Sequence, residues 1–206
     1  MGFDVVLIAA SQGGLTAFRT IAERLPADFP AAVVYAQHRS PDAGTAVVDL
    51  LSRWSPLDVR GGVDGIELAP GTLTVAPAAA HVGISAERRL TVGAVNRSNE
   101  QANELFAAAA GVYGASALAV VLTGRLSDGT RGVQAIKAAG GRVIVQDPES
   151  AEQRSMPWNA LATGCVDLVL EPARIADALV AVVAVPGAAE LFGTRGGSWS
   201  VSPSAL

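Results

Sequence analysis

Six apolar residues in a row, "VVLIAA" from Val5 to Ala10, stop at the small polar cluster Ser11-Gln12-Gly13-Gly14, after which apolar positions return at helical spacing. The same grammar recurs along the chain: a short valine-rich run, a glycine or polar turn, then a stretch with apolar residues three and four apart. It predicts strands at Val5–Ala9, Ala32–Ala36, Leu118–Leu122, Arg142–Gln146 and Val166–Leu170. Helices are predicted over 14–25, 42–53, 99–112, 130–139, 157–163 and 172–184. Strands with no polar face need cover on both sides, so the alternation implies an α/β fold. The predicted architecture is a doubly wound, mostly parallel sheet between two layers of helices, a three-layer Rossmann-like sandwich.

Between Leu57 and Val95 the pattern changes. The stretch "GIELAPGTLTVAPAAAHVGISAERRLTV" alternates apolar with small or polar residues and is cut by Pro-Gly, Ala-Pro and Glu-Arg-Arg turns. It reads as an antiparallel hairpin set inserted into the framework. From Pro186 onward, "PGAAELFGTRGGSWSVSPSAL" has no sustained period and is rich in Gly and Ser. We therefore expect one domain over 1–185 and a flexible tail over 186–206, with Trp199 the one residue in it suited to docking.

Composition narrows the function. The chain has 206 residues, half of them hydrophobic and 17% charged, which suits one well-buried core and excludes a disordered chain. A formal net charge of −4 gives no basic footprint for nucleic acid. Cys165 is the only cysteine, so no intrachain disulfide or cysteine zinc cluster can form, and the cytoplasm is the expected compartment. No leader is expected ahead of Val5, and the run from Ala178 to Val185 is too short to span a bilayer, so no membrane insertion is expected.

In an open parallel sheet, ligands gather beyond the carboxyl ends of the strands. Three such ends carry Ser11, His38 (in "AQHRS") and Asp128 (in "VVLTGRLSDGTRG"). A serine hydroxyl needs a base to become a nucleophile, and an imidazole base needs a carboxylate to fix its tautomer. The amides of Gln12, Gly13 and Gly14 open a helix and so suit a developing oxyanion. Each residue also has a plainer reading: Ser11 and Asp128 both stand where N-caps stand, and His38 suits a polar loop. Only their conjunction points to a Ser-His-Asp hydrolase. The first turn lacks both the Gly-Lys-Ser/Thr of a nucleotide loop and the Gly-x-Gly-x-x-Gly fingerprint, and His38 and His81 stand apart from Cys165, so no cofactor or metal is expected.

These motifs, with "IELAPGTLTVAPAAAHVGI", "VNR" and "VIVQDPESAEQRSMPWNAL" in the same order, resemble the catalytic domain of the chemotaxis protein-glutamate methylesterases, the CheB family, over about residues 4 to 184. The resemblance implies Ser11 as nucleophile, His38 as base and Asp128 as orienting carboxylate. It implies hydrolysis of glutamyl methyl esters on methyl-accepting chemoreceptors or other methylated proteins, with methanol released and, in some members, glutamine deamidated. Gln12, Gly13, Arg125 and the Gly124 to Leu126 loop fall at the oxyanion and substrate-binding positions, and Ser155 to Pro157, a helix-entry turn on its own reading, falls on the cleft wall. The family's usual receiver domain has no counterpart before Val5, so control is expected from a separate regulator, unless the enzyme is constitutive or the chain is a piece of a longer protein.

The departures lie at the rim. Gln12 stands where the family commonly has threonine, Arg125-Leu126 where it has Met-Gly, His38-Arg39-Ser40 where it has His-Met-Pro, and "VNRSNEQAN" replaces an Asn-Arg-Pro-Ser-Val-Asp type stretch. They bear on substrate identity more than on reaction class. Arg39, Arg125, Arg131 and Arg154 either surround the cleft and attract a glutamate-rich helix or are simply solvated. His81 reads as a structural polar residue of the hairpin region. Two alternatives stay open: a catalytically inactive binding module holding a helical partner, and an esterase or amidase for small molecules.

Overall fold

The computed structural model describes residues 2–39, 45–95 and 100–184. The expected tail over 186–206, Trp199 within it, and the substituted stretch at 96–99 lie outside the described residues, as do the first residues of the helix predicted from 42.

At the centre lies β1 (Val5–Ala10), buried along its whole length. Val6, Ile8 and Ala10 face one core, and Val5, Leu7 and Ala9 face the other, so the unbroken apolar run serves two layers at period two. The helix α1 (Gly14–Ala22) returns the chain to β2 (Ala32–Gln37), which pairs parallel to β1 with Val5 opposite Ala32. Next come α2 (Ala46–Trp54), β3 (Asp58–Gly61) and β4 (Thr72–Val75). A hairpin of β5 (Ala80–Ile84) and β6 (Leu90–Val95) precedes α3 (Gln101–Tyr113). The second half of the sheet is β7 (Ala117–Val121), α4 (Thr130–Ala138), β8 (Arg142–Gln146), α5 (Ser155–Ala162), β9 (Leu168–Leu170) and α6 (Pro172–Ala184).

The sheet runs β3-β4-β2-β1-β7-β8-β9, with every pairing parallel. One face is covered by α1, α2 and α6 through Phe18, Ile21, Leu51 and Leu179, with Phe18 stacked on Tyr35 at 4.2 Å between ring centroids. The other is covered by α3, α4, α5 and the hairpin through Leu105, Phe106, Ile136, Met156 and Leu90. The chain leaves β1 toward β2 on one side and returns to β7 on the other, so the switch in strand order falls between β1 and β7. There the connections diverge to opposite faces and leave a crevice at the strand ends.

The doubly wound sheet and an antiparallel hairpin are both present, but the hairpin is smaller than the sequence suggested. Among the strands only β5 and β6 pair antiparallel, with one further antiparallel bridge between Glu67 and Arg89, whereas β3 and β4 pair parallel to each other, and β4 to β2, as part of the main sheet. The Thr-Leu-Thr-Val alternation of β4 imitates a half-exposed strand, yet Thr72 and Thr74 are as buried as Leu73 and Val75. Thr72 satisfies its hydroxyl by donating to the Ala69 carbonyl at 2.6 Å, whereas the Thr74 hydroxyl is buried with no partner among the described residues. At the opposite edge, β9 begins at Leu168 rather than Val166. Asp167 just before it accepts the Val143 amide at 2.8 Å and pairs with Lys137, which ends the ladder.

Candidate active site

Beyond the last paired residue of β1, the ladder continues by one bond from the Ser11 amide to the Thr123 carbonyl at 3.0 Å, tying the loop after β1 to the loop after β7. Close approach of these loops requires Gly124: a Cβ there would stand 2.8 Å from the Ser11 Cβ and collide with Met156. Gly13 is required for another reason, because its φ of 77° lies in the left-handed region and a Cβ would come within 2.7 Å of the Glu152 carboxylate. Gly13 is also the cap residue of α1, which receives no side-chain capping bond. The N-cap reading of Ser11 is thereby excluded: its hydroxyl, on a residue only 8% exposed, makes no hydrogen bond to the helix it precedes.

Asp128 departs from its capping role in a more informative way. Its carboxylate accepts the amides of Ala102 and Asn103 in the first turn of α3, at 2.9 and 3.1 Å, besides that of Gly129 at 2.9 Å. It therefore caps a helix that begins some 26 residues earlier in the chain, while Gly129, with φ of 92°, occupies the cap position of α4. Burial pushes the Asp128 carboxyl above the ordinary carboxylate range, and the three amides and the nearby His38 pull against that rise.

His38 follows β2, its amide donating to the Ala10 carbonyl at 3.0 Å. Gln37 before it reaches across to donate to the Ser11 carbonyl at 3.1 Å. Arg39 after it points away from the cleft, donating to the Ala76 carbonyl at 2.9 Å. Burial lowers its pKa.

These three strand ends enclose a single cleft of about 430 Å³ lined by Ser11, Gln12, His38, Arg125, Leu126, Asp128 and Met156. All three predicted triad residues thus meet at one cavity, and Gln12 and Arg125 of the predicted substrate-binding set line it with them; Gly13 adjoins it at the start of α1. The amides of Gln12 and Gly13 donate to no other described residue, whereas two expected donors are committed elsewhere: Gly14 to the Ser11 carbonyl and Gly124 to the Gln153 carbonyl, each at 3.0 Å. Free amides at the start of a nine-residue helix offer a positive site beside the Ser11 hydroxyl.

Of the arginines considered for the rim, only Arg125 lines the cleft; Arg131 pairs with Glu100 and Arg154 with Glu149. His81 is on β5 and pairs with Glu104 at 2.9 Å in a different groove. Three parts of the site had no clear signal in the sequence. Thr123 accepts the Gln153 amide on its hydroxyl at 2.8 Å and donates to the Gln12 carbonyl at 3.1 Å, and its amide donates to the buried Gln146 side chain at 2.9 Å. Glu152 receives the Gln12 side-chain amide at 3.2 Å. Asn159 donates to the carbonyl of Leu126, which is held at φ of 67° with its side chain 58% exposed at the cleft.

Comparison with known proteins identifies relatives of the chain in both sequence and fold. The structure matches the crystal structure of the Thermotoga maritima CheB methylesterase catalytic domain with a TM-score of 0.80 and 31% identity, covering 87% of this chain and 98% of that one. The protein-glutamate methylesterase/protein-glutamine glutaminase of group 3 operon from Rhizobium meliloti is 38% identical over 181 residues, 86% of this chain and 51% of its own length. A second relative of that name, number 3 of Anaeromyxobacter dehalogenans, is 39% identical over 179 residues, 85% of this chain and 52% of its own length. The chain thus spans about half the length of the curated relatives it matches. The CheB methylesterase family profile matches residues 6–179, and the chain belongs to that family.

Proposed function

We propose that this domain hydrolyses glutamyl methyl esters on a methylated chemoreceptor or similar protein in the cytoplasm, through Ser11, His38 and Asp128. The observation that carries the reading is the convergence of these side chains, from three separate strand ends, on one cleft beside the free amides of Gln12 and Gly13. Membership of the CheB methylesterase family supports the same reaction class. That no described helix is long and apolar enough to cross a membrane fits a substrate that is approached rather than shared within a bilayer.

In this mechanism His38 takes the Ser11 proton as Oγ attacks the ester carbonyl. The negative charge that develops on the carbonyl oxygen is received by the Gln12 and Gly13 amides, already aimed by the start of α1. The carbon–oxygen bond to methoxide breaks as His38 returns the proton, and methanol leaves. Water, deprotonated by His38, then releases the glutamate and restores the serine. Asp128 holds the imidazole in the productive tautomer and offsets its charge. Glutamine deamidation would follow the same path with ammonia leaving, and depends more heavily on proton return because an amide is the poorer leaving group.

The test is methanol release from a methylated receptor fragment. Ser11→Ala should abolish it while leaving the thermal midpoint near that of the wild type; release that persists in the variant would exclude the serine mechanism.

A further inference from the structure

Every arginine among the described residues except Arg53 and Arg125 has an ion pair or a hydrogen bond to hold it. Arg53 belongs to α2, away from the site, whereas Arg125 is exposed and lines the cleft that Ser11 opens into. A guanidinium with no internal partner, one residue beyond Gly124 and the bonds that pin it to Gln153 and Met156, is a fixed base carrying a free planar fork. The acidic groups of the neighbourhood are occupied or turned elsewhere. Asp128 accepts three amides and stands near His38, and Glu152 accepts the Gln12 side-chain amide.

We propose that Arg125 determines specificity by binding a substrate carboxylate that stands one helical turn from the ester. This deepens the methylesterase reading and rests on it. The ester itself is neutral, so the cation gains nothing from the reacting group in the ground state; its complement is a second, charged side chain. Because Arg125 and Ser11 line the same cleft of about 430 Å³, we take that side chain to be the one nearest the ester on its face of a helix. On a helix only residues three or four apart share a face, about 5–6 Å between Cβ atoms. A guanidinium meets a carboxylate in two parallel hydrogen bonds, which adds geometric selection to charge attraction.

The experiment uses two helical peptides, each with one glutamyl methyl ester, that differ only in carrying Glu or Ala four residues from it. Both are assayed by methanol release with wild type, Arg125→Gln and Arg125→Lys. We expect wild type to favour the Glu peptide by about fivefold in kcat/KM, as for a partly solvated ion pair. The preference should sit in KM, because the contact is made equally before and during reaction. It should collapse toward one in Arg125→Gln, survive in reduced form in Arg125→Lys, and fade as salt rises from about 0.01 M to about 1 M and the screening length shrinks from about 30 to about 3 Å. A wild type indifferent to the neighbour, or a preference that Arg125→Gln retains, would overturn the assignment while leaving the methylesterase reading intact. Hydrolysis of neither peptide, or hydrolysis that survives Ser11→Ala, would sink the reading beneath it instead.

Discussion

The chain has two histidines, and each stands with a carboxylate at a groove of similar size: His38 near Asp128 at a cleft of about 430 Å³, His81 with Glu104 at one of about 410 Å³. The second pair has the clearer contact, 2.9 Å between Nδ1 and Oε1. What separates them is the backbone around them. His81 lies within the β5–β6 hairpin, and the hydroxyl nearest in kind, Thr91, sits in mid-ladder opposite Gly83 where no helix begins. His38 lies at the carboxyl edge of a parallel sheet, where β1 ends in a serine and α1 begins with uncommitted amides. An imidazole–carboxylate pair alone therefore does not mark a site; the selective feature is a cleft that also gathers a serine, next to uncommitted amides.

The sharpest way to break this contrast is to remove each histidine in turn. His38→Ala should lower kcat for ester hydrolysis by about 10⁴-fold or more, since a serine without its base loses most of the catalytic advantage of the assembled group. His81→Ala should leave kcat within about twofold. Steady-state methanol release from the same substrate reads both, and comparable losses in the two variants would erase the distinction drawn here.

The next largest effect lies in the carboxylates. Asp128→Asn should cost about 10³–10⁴ in kcat by loosening the tautomer of His38, against little change for Glu104→Gln. Stability gives a second signature with a definite sign. Because burial raises the Asp128 carboxyl above its ordinary value, the native state holds that proton more tightly than the unfolded chain. Its contribution is greatest in acid and is lost as pH rises from the ordinary carboxylate range through the raised native value. The Asn variant has no such proton to lose, so its stability relative to wild type should improve from acid toward neutral pH. Urea midpoints of both proteins at the two ends of that range measure the difference.

The contrast also shows what kind of information the sequence holds. Ser11 and His38 could be found because fully apolar strands stop abruptly at them, and a strand end is a local signal. Asp128 was found as a candidate, but its partners could not be: no periodicity around residue 128 announces the first turn of α3, which the chain completed beforehand. Thr123 and Gln146 stayed hidden for the same reason. Both sit at the ends of buried strands and look like ordinary terminators, while their value lies in tertiary bonds: Thr123 to Gln12 and Gln153, and Gln146 to the Thr123 amide and Ser150. The two halves of the Leu57 to Val95 stretch were confused because burial on both faces makes threonine in β4 look like an exposed position. Local patterning revealed where the sheet would stop, and tertiary pairing decided what each stop would touch.

The smallest expected effect concerns the rim rather than the triad. Leu126 holds φ of 67°, a conformation that costs a residue with a Cβ about 1–2 kcal/mol. The fold keeps it there through the Asn159 side chain, which donates to its carbonyl at 2.9 Å, and gains no buried surface in return for most of the exposed side chain. Leu126→Gly should remove that strain, while the added freedom of glycine in the unfolded chain takes back about 0.5–1 kcal/mol. The balance is a gain of about 0.5 kcal/mol, visible as a small rise in the urea midpoint with an unchanged slope. Because Leu126 also lines the cleft, the variant should at the same time raise KM for an apolar-flanked ester peptide with kcat little altered. A loss of stability would show instead that the exposed leucine contributes packing that its exposure conceals, and an unchanged KM would remove it from the binding surface.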